Sequence, residues 1–170
     1  MYEKTLYEKN FLFLLHITCN YYKFVIDVDL MKTNYTETEV ISRLQQCNVK
    51  PSLQRIAILK YVLEHREHPS VDTVYDALVS AMPTLSKTTV YNTLSLLEKE
   101  GAIQSVAIDD KMIRFDGDTT SHAHFFCEKC RKIFDIAVQV EIPTNVIGKD
   151  FLIMGSQIYY KGLCPNCKNI

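Results

Sequence analysis

Ser86-Lys87-Thr88-Thr89-Val90-Tyr91-Asn92-Thr93-Leu94-Ser95-Leu96-Leu97-Glu98-Lys99-Glu100-Gly101 is the stretch on which the fold reading turns. A serine ahead of an apolar-periodic run predicts a helix N-cap, and the glycine that closes it suits the left-handed C′ position. Val90, Leu94 and Leu97 recur at i, i+4 and i+7 and predict one buried stripe. Lys87, Thr88, Tyr91, Asn92 and Ser95 are left on the opposite face. Two strand-like runs follow, Ala102–Ile108 and Met112–Phe115, with Asp109-Asp110-Lys111 as the expected turn between them.

Upstream, the chain is rich in helix starts. Thr36 and Glu39 form a capping box ahead of Val40, Ile41 and Leu44. Ser52 caps a second helix with Ile56, Leu59, Tyr61, Val62 and Leu63 on its apolar side. That region is expected to end at His68-Pro69, because the residue before proline is pushed out of the right-handed α conformation. Ser70 caps a third helix, with Val71, Val74, Tyr75, Leu78 and Val79 inward, and Pro83 closes it. Three or four short helices followed by a β-hairpin is the pattern of a winged helix-turn-helix, whose last helix enters the DNA major groove. Threonine methyls, a tyrosine ring and an asparagine suit base edges. The same residues also suit a solvated helix face, and this stretch alone leaves both readings open.

Beyond Asp116 the texture changes. Cys127-Glu128-Lys129-Cys130 is answered by Cys164-Pro165-Asn166-Cys167. Two CxxC pairs predict one tetrahedral zinc site, since each knuckle offers two thiolates from one tight turn. The intervening chain is long enough for a hairpin to bring the knuckles together. Lys132–Val138 and Ser156–Leu163 read as strands, and Phe151–Met154 as a third. A zinc-stapled sheet this small has too little core to stand alone and is expected to pair with a second copy of itself.

Just ahead of the first knuckle, His122-Ala123-His124 puts two imidazoles on one side of an extended segment, because side chains alternate along a strand. Asp116 precedes them and Asp135 follows on the next strand. Four nitrogen and oxygen donors within twenty residues of chain point to iron(II), manganese(II) or zinc, at a site distinct from the all-sulfur one.

The bulk properties set limits. The 170 residues are 47% hydrophobic and 23% charged, enough for one domain or two small ones. A net charge of −1 gives no global basic field, so any DNA contact must rest on a local patch. Cys19 and Cys47 show no framework spacing, which favours a reducing cytoplasm. The apolar run 11–19 is too short to span a bilayer. Residues 1–31 are read as an N-terminal extension, either an appendage from a wrongly assigned start or an added element. A thiol oxidoreductase would need CxxC at a helix start, but this region reads as strands and turns. A zinc hydrolase would need an open coordination position and has no HExxH here.

Taken together, Ser86–Leu94, Arg114-Phe115-Asp116-Gly117, the His-x-His-x-x-Cys-x-x-Cys block and the terminal Cys-Pro-Asn-Cys resemble the ferric uptake regulator (Fur) family. The resemblance runs in order from residue 36 to 167. It implies an α+β protein with an N-terminal winged helix-turn-helix domain over 32–115. A small C-terminal α/β dimerisation domain, carrying the hinge and the four-cysteine zinc site, then covers 116–170. It further implies a homodimeric, metal-dependent repressor that binds double-stranded operator DNA, and not an enzyme. Cys127, Cys130, Cys164 and Cys167 would hold structural zinc. His68, Asp116, His122, His124 and Asp135 would hold a regulatory iron(II) or manganese(II). Tyr91 and Asn92 are the expected base contacts, with Lys87, Thr88, Thr89 and Arg55 towards phosphates or groove edges.

Aspartate at the last ligand, the Phe115-Asp116 pair and the compact His-Ala-His resemble the peroxide-sensing (PerR-like) branch. In that branch, iron-catalysed oxidation of a ligand histidine releases DNA, and the matching histidines are His68 and His122. The alternative within the family is an iron- or zinc-uptake repressor. Ala137–Lys149, interrupted by Pro143, is short for the family's dimerisation helix, and the histidines and acidic residues that some relatives use for a further metal site are not evident after Asp135.

Overall fold

The computed structural model describes residues 34–108, 112–138, 151 and 156–168. The N-terminal extension, the Asp109–Lys111 turn, most of the 137–149 segment and all but Phe151 of the strand expected at 151–154 lie outside those residues.

Among the described residues, four capped helices come first. Helix α1 (Glu37–Gln46) opens with the capping box, in which the Thr36 side chain accepts from Glu39 N–H and the Glu39 carboxylate from Thr36 N–H. Helices α2 (Leu53–Glu64), α3 (Val71–Leu78) and α4 (Lys87–Lys99) start on Ser52, Ser70 and Ser86, whose hydroxyls accept the N–H three residues on. Val40, Leu44, Ile58, Leu59, Val74, Val90, Leu94 and Leu97 are fully buried and form one core. Burying each such side chain stabilises the fold by about 1.5–3 kcal/mol. Gly101 ends α4 at φ 74, as its C′ position requires.

Helix α2 stops short of the expected boundary. It ends at Glu64, where His65 leaves helical geometry at φ −114 and ψ 95. His68 takes φ 55, a left-handed conformation, where the following proline favours an extended one. Such a residue stays in place only when its surroundings over-determine it. Here the loop is pinned by Phe115 N–H donating to Pro69 O at 3.0 Å, and the His68 side chain is 1% exposed.

Strands β1 (Gln104–Val106) and β2 (Arg114–Asp116) pair antiparallel as the wing, with Gln104 opposite Asp116. Both strands are shorter than the sequence suggests, and Met112 and Ile113 are exposed ahead of β2 rather than paired. The second sheet contains β3 (Ala123–Cys127), β4 (Ile133–Ile136) and β5 (Ile158–Gly162) in the order β4-β3-β5. Strand β3 runs antiparallel to β4 and parallel to β5. The short helix α5 (Pro165–Lys168) follows β5. Val106 and Ile108 of the wing pack on Phe126, Ile133 and Tyr159 of this sheet, so an apolar cluster joins the two layers.

The zinc knuckles meet by a route other than the expected hairpin. A parallel pairing brings them together, because Cys127 at the end of β3 lies opposite Gly162 at the end of β5, two residues before Cys164. Parallel neighbours finish at the same edge, so both CxxC turns emerge side by side.

Candidate metal centres

Cys127, Cys130, Cys164 and Cys167 point their sulfurs into one cluster, all within 4.8 Å of one another. Zinc–sulfur bonds of about 2.3 Å in a tetrahedron imply sulfur separations of about 3.8 Å. Cys130 Sγ and Cys164 Sγ are 3.8 Å apart, far beyond a disulfide bond, and all four cysteines are free thiols. The first knuckle turns where Arg131, at φ 61, donates its N–H to Cys127 O at 2.8 Å. The second is wound by Cys167 N–H on Cys164 O at 2.9 Å, and Cys164 N–H donates to Cys127 Sγ at 3.3 Å. Amide hydrogen bonds, that of Cys130 foremost, draw the Cys127 thiol down to about 6. Burial, then its sulfur neighbours, pushes Cys167 up to about 12. Four such sulfurs are thiolates together only around a cation, and a soft, closed, four-sulfur set fits zinc.

The second cluster draws on both layers. His68 comes from the α2–α3 loop, Asp116 from the end of β2, His122 and His124 from the segment entering β3 and from β3 itself, and Asp135 from β4. Their donor atoms also lie within 4.8 Å of one another. Asp116 Oδ2 is 3.1 Å from His122 Nε2, 3.4 Å from His124 Nε2 and 3.8 Å from His68 Nε2. Asp135 Oδ1 is 2.9 Å from His68 Nε2 and 3.6 Å from His122 Nε2. The Nε2 atoms of His122 and His124 face each other at 3.0 Å.

Three imidazole nitrogens and two carboxylate oxygens therefore converge on one point. His68 Nε2 and Asp135 Oδ1 are buried and, despite their 2.9 Å approach, make no well-directed hydrogen bond to any partner. Buried polar atoms normally find partners, so donors aimed past each other at a shared point fit a bound cation. Two carboxylates neutralise a divalent ion, and a mixed nitrogen and oxygen set suits iron(II) or manganese(II).

The electrostatics agree. Burial alone would raise the Asp116 carboxyl, but hydrogen bonds from His122, His124 and the Asp118 amide hold it well below the usual carboxylate range. His122 is pushed up to about 9, mainly by its hydrogen bond to Asp116. The other ring nitrogen, Nδ1, lies 2.9 Å from Thr120 O, a contact that fixes the ring's orientation.

Several supporting residues escaped the sequence reading. Gln104 donates to Asp116 Oδ2 at 3.1 Å and to Asp118 O, and Asp118 N–H donates to Asp116 Oδ1 at 2.8 Å. Arg66 donates to Asp135 Oδ2 at 3.3 Å. Arg43 reaches Ala102 O and Gly117 O, tying α1 to the end of α4 and to the residue after Asp116. The hairpin register could have pointed to Gln104, and the others had no sequence signal.

On α4, Tyr91 is 55% exposed, and Asn92 and Thr88 are exposed beside it. Thr89 is half-buried with its hydroxyl on Ser86, so it serves the cap. Lys87 is exposed but ion-paired with Asp72 at 2.6 Å. Arg55 donates to Lys50 O at 2.7 Å at the start of α2. Among the described residues no helix is long and apolar enough to cross a membrane.

Known proteins resemble this chain in sequence and fold. The peroxide-responsive repressor PerR of Staphylococcus epidermidis is 30% identical over 146 residues, covering 84% of this chain and 97% of that one. PerR of Staphylococcus aureus is 29% identical over 147 residues, covering 85% and 99%. The structure of the Helicobacter pylori ferric uptake regulator Fur shares the fold, with a TM-score of 0.62 and 21% identity over 81% of this chain and 97% of that chain. The model of the ferric uptake regulator family matches residues 46–152, and with that match the chain belongs to this family of metal-responsive regulators.

Proposed function

We propose that the protein is a cytoplasmic, homodimeric repressor whose binding to operator DNA depends on the His68–Asp116–His122–His124–Asp135 centre and is cancelled by hydrogen peroxide. The observation that carries this is the composition of that centre, with three histidines and two aspartates drawn from the winged-helix layer and the zinc-stapled sheet together. A cation held by both layers favours the one domain arrangement in which all five donors meet, so its binding energy selects a DNA-competent shape. Loss of any donor returns the layers to a broader ensemble.

Cys127, Cys130, Cys164 and Cys167 keep the sheet together around zinc. Tyr91 and Asn92 would present side chains for base edges, with Thr88, Lys87 and Arg55 towards the phosphates or groove rim, while Thr89 serves the helix cap. Iron(II) held there would supply Fenton chemistry toward hydrogen peroxide, acting as a catalyst. His68 and His122 are the residues expected to be modified: a ring carbon gives up two electrons as its C–H bond becomes a C–O bond to one peroxide oxygen, and the other oxygen leaves as water. The ring so altered no longer donates as before, and the interlayer clasp opens. The resemblance to the staphylococcal peroxide-responsive repressors and the aspartate at position 135 both support this reading.

The test uses a duplex selected from random sequence by the manganese(II)-loaded protein. Affinity is measured before and after stoichiometric peroxide for the iron(II) and manganese(II) forms. The expected result is loss of binding in the iron form alone, with a mass gain of one oxygen on the peptide carrying His68 or His122. Retained binding in both forms would make the protein an uptake repressor that responds to metal supply.

A further inference from the structure

We infer that Arg66 is a specificity-determining residue of the regulatory centre: it occupies the second oxygen of Asp135 and so confines this aspartate to a single donor atom. The inference rests on the reading of the His/Asp cluster as a metal centre. Arg66 Nη2 lies 3.3 Å from Asp135 Oδ2, whereas it is Oδ1 that faces the three histidines. The same nitrogen is 3.7 Å from Asp118 Oδ2, so two carboxylates hold the guanidinium in place. Asp116 is treated in parallel, its Oδ1 taken by the Asp118 amide at 2.8 Å while Oδ2 faces inward. With both outer oxygens bound to protein donors, the cluster offers five donor atoms, not seven. An ion that favours six ligands then keeps one position for a molecule the size of water or peroxide.

Stability is not what this contact supplies. Arg66 is 29% exposed on its side chain, and ion pairs of that kind contribute little. Its position matters more, because it belongs to the loop carrying His68, two residues upstream, and reaches across to β4. Arg66 therefore reports on the same interlayer closure as His68 without being a ligand itself. Freed of the guanidinium, Asp135 Oδ2 would be available to close the remaining position by chelation.

Arg66→Gln and Arg66→Lys would be compared with the parent as full-length, zinc-replete proteins. Water-proton relaxivity of the manganese(II) forms counts exchangeable water on the ion, and the rate of peroxide-driven release from DNA is measured on the iron(II) forms. The expected result is an exchangeable water in the parent and in Arg66→Lys, and none in Arg66→Gln. Peroxide release would slow in Arg66→Gln by about tenfold or more, the scale on which contacts to metal ligands act. Unchanged relaxivity in Arg66→Gln would overturn the assignment. So would loss of manganese binding, which would make Arg66 an assembly residue. If the parent's iron form ignores peroxide while the relaxivities still differ, the peroxide reading fails and the Arg66 assignment stands.

Discussion

His124 and Asp135 lie directly opposite each other across β3 and β4, with His124 Nε2 3.8 Å from Asp135 Oδ1. The strand register therefore aims both side chains at the same point, and a one-residue slip would turn one away. Cys127 is three residues along the same strand, where the zinc knuckle begins. The two candidate metal centres are thus connected through one short strand.

Removing Asp135 as a donor should weaken the regulatory centre and spare the zinc site. Asp135→Ala is expected to lower manganese(II) affinity by more than the about 10–100-fold typical of contacts that only support a ligand. Zinc content should stay at its parental value. Parallel loss of zinc would show that the two sites are one structural unit.

Cys130→Ser, or prolonged chelation, should unfold the β3–β4–β5 sheet. Structural zinc supplies about 10–16 kcal/mol of apparent binding free energy, more than a sheet this small can replace. Circular dichroism with metal analysis checks it, and an intact sheet in the zinc-free protein would reject a structural role.

The pH dependence follows from His122. Its folded value, raised from 6.5 to about 9, means that the metal-free fold gains from the charged ring below 6.5 and loses that gain as pH climbs through about 9. A metal needs the neutral ring and must displace the proton, so manganese(II) affinity should rise steadily between pH 6.5 and 9 with proton release on binding. Asp116, held low by its hydrogen bonds, stays charged throughout and adds no slope. An affinity that levels off near neutrality would contradict this.

Gly117→Ala should destabilise the protein. An added Cβ would come within 3.0 Å of Leu63 Cα and 3.2 Å of Val62 O, backbone of α2 that cannot swing aside. The expected cost is about 1–3 kcal/mol, read as a lower thermal midpoint. Metal affinity should also fall, because Asp116 is the adjacent residue. An unchanged midpoint would mean that the wing and α2 separate easily.

Tyr91→Ala should weaken binding to the selected duplex far more than binding to random DNA. Lys87→Ala should weaken both and flatten the salt dependence, moderated by the Asp72 partner that Lys87 must first leave. Equal losses from the two variants would remove Tyr91 from the base-reading set.

Much of this organisation was legible from local chemistry. Thr36, Ser52, Ser70 and Ser86 cap helices because capping is decided within four residues. The knuckles were equally plain, since a CxxC turn makes its own geometry. Pairing partners distant in sequence were not. Nothing near Cys164 tells that β5 runs parallel to β3, because that choice depends on a sheet built from separate segments. The left-handed turn at His68 defied its proline for the same reason, being held by Phe115 and the cluster around it. Arg66 and Gln104 have no motif at all, and their roles exist only once the layers close.

The parallel β3–β5 pairing also sets an order of events during synthesis. His122, His124 and Asp135 have all left the ribosome well before Cys164 and Cys167, yet the strand that carries His124 gains its second neighbour and its zinc only when those last cysteines emerge. A nascent chain thus passes through a stage at which His68, Asp116, His122, His124 and Asp135 have all been made while the strand carrying His124 is paired on one side alone. A chain interrupted ahead of Cys164 would therefore carry all five of these donors on a sheet that lacks both its parallel edge strand and its closing knuckle.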